Sequence, residues 1–188
     1  MLRELIAGRN AGRSASKFNG HCAIIDVYVN VKQPHTMPAT LTSANPAFAT
    51  RIRRELDAQG VTPLLDIRLD RCEPGRVDLS MPISPKVVQQ YLVVHGGMVA
   101  VIADSASGLA GISLLPPEDG VLSIEFKINL LGPGRGERMF ARSEIIKAGR
   151  TVIISKADVY CVENGVETHT AILINTLLVA KGIAARVK

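Results

Sequence analysis

The sequence has no tryptophan, and aromatic side chains make up only 4% of its 188 residues. Stacking surfaces for single-stranded nucleic acid depend on aromatic residues, so that class is disfavoured at once. Cysteine is sparse too. Cys22, Cys72 and Cys161 lie far apart with no CxxC pair, which argues against a disulfide framework and a zinc site and fits a reducing compartment. Several catalytic and nucleotide-binding signatures are missing: G-x-S-x-G, G-x-x-x-x-G-K-[ST], G-x-G-x-x-G and H-E-x-x-H do not occur. The first residues, LRELIAGRNAGRS, are interrupted by charge throughout and show no signal-peptide core. The stretch 98–115 is nearly uncharged, but Asp104, three serines and two glycines lie within it and Pro116-Pro117 follow. It reads as a buried helix of a globular protein, not as a membrane span.

What is present is an ordinary globular composition, with 47% apolar and 21% charged residues. The length suits one domain. The net charge of +5 is uneven: residues 1–54 hold eight basic and two acidic residues, whereas 55–188 hold fourteen and fifteen. A basic stripe on a folded nucleic-acid reader is therefore absent, and neither nucleic acid nor a membrane is expected as a partner. Three domain segments are expected: an extension over 1–44, outside the core and read either as poorly ordered or as the product of a start upstream of Met37, a folded domain over 45–181 and a short tail over 182–188. The Arg- and Ser-containing residues 1–37 also partly resemble an organelle presequence, so the expected location is the cytoplasm, or an organelle if they act as one.

Within the core, PAFATRIRRELDAQG reads as a helix capped by Asn45, with Pro46 first and Gly60 as its stop. Residues 64–72 and 76–83 alternate apolar and polar around Glu73-Pro74-Gly75 and read as a hairpin. After the apolar helix come strand candidates at 121–131, 137–147, 151–162 and 166–180. The short Gly-containing links between them predict a four-stranded antiparallel meander. The fold class is thus α+β, one curved antiparallel sheet around a long central helix.

One constellation carries chemistry. His95-Gly96-Gly97 opens the apolar helix, and Asp104 sits inside it. Glycines at a helix N-terminus leave backbone N–H groups approachable, and the helix dipole suits a carbonyl oxygen becoming an oxyanion. A carboxylate in so apolar a stretch costs several kcal/mol to bury without partners; a structural aspartate and a tightly packed glycine pair are the alternatives. Asp104 lies eight residues after Gly96, about 12 Å along a helix. One helix cannot bring both to one carbonyl, whereas two antiparallel copies in a symmetric dimer can. If the constellation is catalytic, the protein is expected to be a dimer or a higher oligomer.

The run 89–151 resembles the hotdog-fold acyl-CoA thioesterases of the phenylacetate-degradation type. The match rests on H-G-G-x6-D at 95–104, S-x-E-F-K-I-N-L-L-x-P at 123–133 and A-G-R-T at 148–151, and the likeness extends over about residues 46–180. It implies hydrolysis of an acyl- or aryl-acyl-CoA to free acid and CoA, with no cofactor and no metal, in a homodimer or homotetramer that shares its active sites. It also implies that Asp104 is the base or nucleophile and that the Gly96 N–H, beside Gly97, is the oxyanion donor. Gln89, with Gln90 next to it, would position the carbonyl or water. Ser123 would orient the attacking water, and His95 would shape the turn. Lys127, Arg135, Lys147 and Arg150 are candidates for the CoA phosphates. The competing readings are an acyl-CoA sensor without hydrolysis and a hydratase or dehydratase on the same fold.

Overall fold

The computed structural model describes residues 41–185. The strand-like run at 22–31, and nearly all of the expected 1–44 extension, lie outside them. Leu41 packs against the core and the Ala44 N–H donates to the Leu114 carbonyl at 3.2 Å. Residues 41–44 therefore pack with the domain. At the other end the Gly182 N–H meets Asp119 Oδ1 at 2.9 Å and the Ala184 N–H meets the Glu118 carbonyl at 3.1 Å, so the start of the expected tail packs with it as well.

Helix α1 spans Phe48–Asp57 and buries Ile52 and Leu56 on one side. It begins two residues later than the Asn-Pro signal suggests. Asn45 accepts the Ala47 N–H through its side chain at 3.0 Å, forming a turn before the helix instead of capping it. A short helix α2, Val61–Leu65, occupies the start of the expected first strand. Asp66, in the left-handed region with φ 53°, ends it. The alternation of Leu65, Ile67 and Leu69 thus reflects burial shared between a helix end and a strand. Strands β1 (Arg68–Glu73) and β2 (Arg76–Pro82) then form the expected hairpin.

Helix α3, Gly96–Ile112, is the central helix. Its small residues Ala103, Ala106, Ser107, Ala110 and Gly111 are buried and let the helix lie close to the sheet. Among the described residues no helix is long and apolar enough to cross a membrane. The remaining strands are β3 (Gly120–Leu130), β4 (Arg138–Ala148), β5 (Val152–Glu163) and β6 (Val166–Ala180). Their inward residues cover the helix: Val77, Leu79 and Met81 from β2, Met139 and Ala141 from β4, Ile153, Ala157 and Val159 from β5, and Leu173 and Leu177 from β6.

The six strands of the described residues form one antiparallel sheet in the order β1-β2-β4-β5-β6-β3. This corrects the expected four-stranded meander. Only β4-β5-β6 is a meander, closed at one end by Asn164-Gly165, both at positive φ as a two-residue hairpin turn requires. Strand β3 pairs with β6, three strand positions from β4, or about 14 Å. The glycine-rich link between β3 and β4 is therefore a crossing and not a tight turn. It passes the ends of β6 and β5 through Leu131 N–H to Thr170 O at 2.8 Å and Glu137 N–H to Val162 O at 2.9 Å. Seven residues between the strands reach that distance with slack.

Candidate active site

Asp104 sits at mid-length of α3, half-buried, on the side facing the sheet edge formed by β3. Ser123 of β3 donates its hydroxyl to Asp104 Oδ1 at 2.6 Å. Asn175 of β6 donates its amide to the same oxygen at 2.7 Å, and that amide lies 3.2 Å from Ser123 Oγ. The carboxylate that looked costly in sequence is thus held by two donors. Sequence reasoning missed Asn175, although a signal existed. Its neighbours on the inward face of β6 are Ala171, Leu173, Leu177 and Val179, and a lone amide in such a row is conspicuous.

The other end of the constellation is built by the loop before α3. A bridge between Val88 and Val94, with the Gln89 N–H on the Val93 carbonyl at 2.9 Å, closes a small loop. The His95 N–H returns to the Val87 carbonyl at 2.8 Å and aims the chain into the helix. Gln89 is half-buried in this loop, while Gln90 is exposed. His95 is the N-cap, and its Nδ1 accepts the Gly97 N–H at 2.9 Å. Gly97 is therefore not available as an oxyanion donor, and the imidazole shapes the turn. The Gly96 N–H has no acceptor among the described residues. Leu130 stands beside Gly96 so closely that a side chain there would press on it.

The four basic candidates do not gather around one point of the subunit. Arg135 lies in the crossing loop, whose Gly134 carbonyl accepts the Val94 N–H at 2.9 Å, next to the helix start. With Val88, Leu92 and Glu163 it lines an open groove of about 280 Å³. Lys127 pairs in register with Ile174, on the sheet face opposite Asn175 and Asp104. Lys147 and Arg150 lie at the β4–β5 turn, the opposite end of the sheet from Arg135.

The two edges of the sheet differ in kind. Edge strand β1 is short and charged, with an ion pair between Arg71 and Glu73 at 2.7 Å, the usual protection of an edge. Edge strand β3 has eleven residues and exposes Leu122, Ile124, Phe126 and Leu130. It is bulged between Ser123 and Glu125. Among the described residues the outer backbone groups of β3 have no strand partner; a long apolar edge of this kind is a template for another strand, and it adjoins Asp104.

A curved antiparallel sheet around one apolar helix, with a carboxylate at mid-helix and a free amide at the helix start, is the build of the hotdog class. The thioesterase superfamily model matches residues 91–168. The structure is similar to a thioesterase family protein from Silicibacter pomeroyi, with 38% identity, a TM-score of 0.71, and coverage of 72% of this chain and 99% of that one. The medium/long-chain acyl-CoA thioesterase YigI of Escherichia coli K12 is 26% identical over 111 residues, 51% of this chain and 72% of that protein. The fold also matches the Escherichia coli PaaI protein of the phenylacetic acid degradation operon, with a TM-score of 0.66 at 16% identity, over 74% of this chain and 98% of that one. The chain belongs to the thioesterase superfamily and is a thioester hydrolase.

Proposed function

We propose that this chain hydrolyses acyl-CoA thioesters as a homodimer, or as a homotetramer of two such dimers, whose active sites each draw on two subunits. The observation that carries the reading is the separation of its two catalytic ends on one helix. The unpaired Gly96 N–H opens α3 and Asp104 lies two turns further on, about 12 Å away. Both act on one carbonyl only if Gly96 comes from one copy and Asp104 from another. Pairing of the exposed β3 edges about a two-fold axis brings the second helix alongside in the antiparallel sense.

In this mechanism the acyl carbonyl oxygen lies on the Gly96 N–H, where the helix dipole stabilises the developing negative charge. Asp104 of the other subunit takes a proton from water as the hydroxyl adds to the carbonyl carbon, or adds to that carbon itself. The C–S bond then breaks and CoA leaves as a thiolate; in the second route water then hydrolyses the acyl-aspartyl anhydride, which releases the free acid and restores the carboxylate. Gln89, on the loop that precedes Gly96, is the residue assigned to position the carbonyl or the water through its side-chain amide. Arg135, beside the helix start, is the basic candidate best placed for a CoA phosphate.

A thiol-release assay with short-chain, medium-chain and aryl-acyl-CoA substrates tests the reading. The wild-type protein is expected to turn over at least one class. Asp104→Ala is expected to lose turnover by about 1,000-fold or more while keeping its oligomeric state. Near-normal hydrolysis by that variant would remove Asp104 from the chemistry.

A further inference from the structure

The inward face of β6 raises a question of residue choice. Asn175 is 0% exposed and lies between Leu173 and Leu177. Its Nδ2 serves Asp104 Oδ1 at 2.7 Å and reaches Ser123 Oγ at 3.2 Å. Its own Oδ1 is buried with no donor among the described residues. The amide cannot be turned over to repair this, because the oxygen would then face the carboxylate. A buried carbonyl without a partner works against folding, and an apolar side chain would complete the row around it. The fold therefore gains little from an amide here, whereas Asp104 gains a donor.

Both donors to Asp104 act on one oxygen. Ser123 comes from β3 and Asn175 from β6, so Oδ1 is held from two neighbouring strands while Oδ2 receives no hydrogen bond among the described residues. Two donors from different backbone positions fix the rotation of the carboxylate plane. The Ser123 proton lies on the Asp104 side, so within the subunit this hydroxyl orients the carboxylate. That differs from the water-orienting role the family resemblance implies.

We infer that Asn175 is a positioning residue that, with Ser123, clamps Asp104 Oδ1 and thereby leaves Oδ2 as the reacting oxygen. The inference rests on the proposed role of Asp104 in thioester hydrolysis. In the general-base route Oδ2 receives the water proton, the hydroxyl bonds to the acyl carbon, and the proton passes on to the departing thiolate sulfur. Oδ1 keeps its two donors throughout.

Asn175→Ala and Asn175→Val test this with the full-length protein and whichever acyl-CoA the wild-type chain hydrolyses. In both, kcat is expected to fall about 10–100-fold with KM within about twofold. The Val variant, which removes the unpaired carbonyl and refills its space, is expected to melt no lower than wild type. In the Asp104→Ala background, Asn175→Ala is expected to remove nothing further, because it acts only through that carboxylate. Wild-type kcat in the Asn175 variants, beside an inactive Asp104→Ala, would overturn the clamp and leave the active-site reading standing. An effect on KM alone, or one that adds to Asp104→Ala, would also overturn it. Failure of both variants to fold would assign Asn175 to the core. Normal turnover by Asp104→Ala would fell the active-site reading and the clamp with it.

Discussion

Replacing Ile124 by lysine separates assembly from chemistry. Ile124 sits in the β3 bulge, has no register partner on β6 and is 57% exposed in the single subunit. Fully burying an isoleucine side chain stabilises by about 1.5–3 kcal/mol, so covering its exposed part contributes about 1–1.5 kcal/mol. A two-fold interface contains every residue twice, which raises the loss to about 2–3 kcal/mol per dimer. The buried ammonium adds desolvation cost on top. Since 1.4 kcal/mol is a factor of ten, the dimer dissociation constant of Ile124→Lys is expected to rise at least about 100-fold. Lysine is also the residue with which edge strands are ordinarily protected. Sedimentation across a wide concentration range reads the association directly. Activity per subunit, followed over the same dilution series, is expected to fall as the dimer dissociates and to recover at high protein concentration. A fully active monomer would refute the shared-site argument. An unchanged dimer would show that the copies meet through another surface.

Two further substitutions probe the scaffold. Gly136 has φ +108°, and a Cβ there would run into the Val162 carbonyl; Gly136→Ala is expected to cost roughly 2 kcal/mol or more and to lower Tm by about 4–8 °C in thermal unfolding. Asp119 is buried beneath Lys181, with Nζ–Oδ2 at 2.6 Å. The Lys181 hydrogen bond first, and then the Gly182 N–H, hold its carboxyl below the ordinary carboxylate value. A carboxyl that binds its proton more weakly folded than unfolded stabilises the fold above the ordinary carboxylate range. That contribution is lost as the pH falls through the range and below it. Asp119→Asn is therefore expected to lower Tm at neutral pH and to flatten its decline on acidification; an unchanged acid limb would refute the assignment.

Much of the scaffold was legible because periodicity records which face of an element is buried. The 3.6-residue spacing of Ile52 and Leu56, and the alternation along β4, β5 and β6, mark burial that any packing of those elements must satisfy. Where the reading slipped, two states shared one signal. Leu65 and Ile67 are both buried, the first at the end of α2 and the second just before β1. A short apolar spacing there cannot tell a helix end from a strand start.

The candidate site divides along the same line. His95, Gly96 and Asp104 lie on one helix and its cap, so their relation follows from helical rise alone, and so does the proposal that a second copy completes the site. Asn175 is 71 residues from Asp104 and 52 from Ser123, and no local rule connects them. The sequence by itself determined the central helix, the inward faces of the strands and the distance between the two ends of the site. Only the tertiary structure decided that β3 crosses to the far edge beside β6. A glycine-rich link permits a tight turn and a crossing equally well, and the choice rests on which edge leaves α3 covered. That placement sets Ser123 and Asn175 against one oxygen of Asp104 and leaves an apolar strand open to a second subunit.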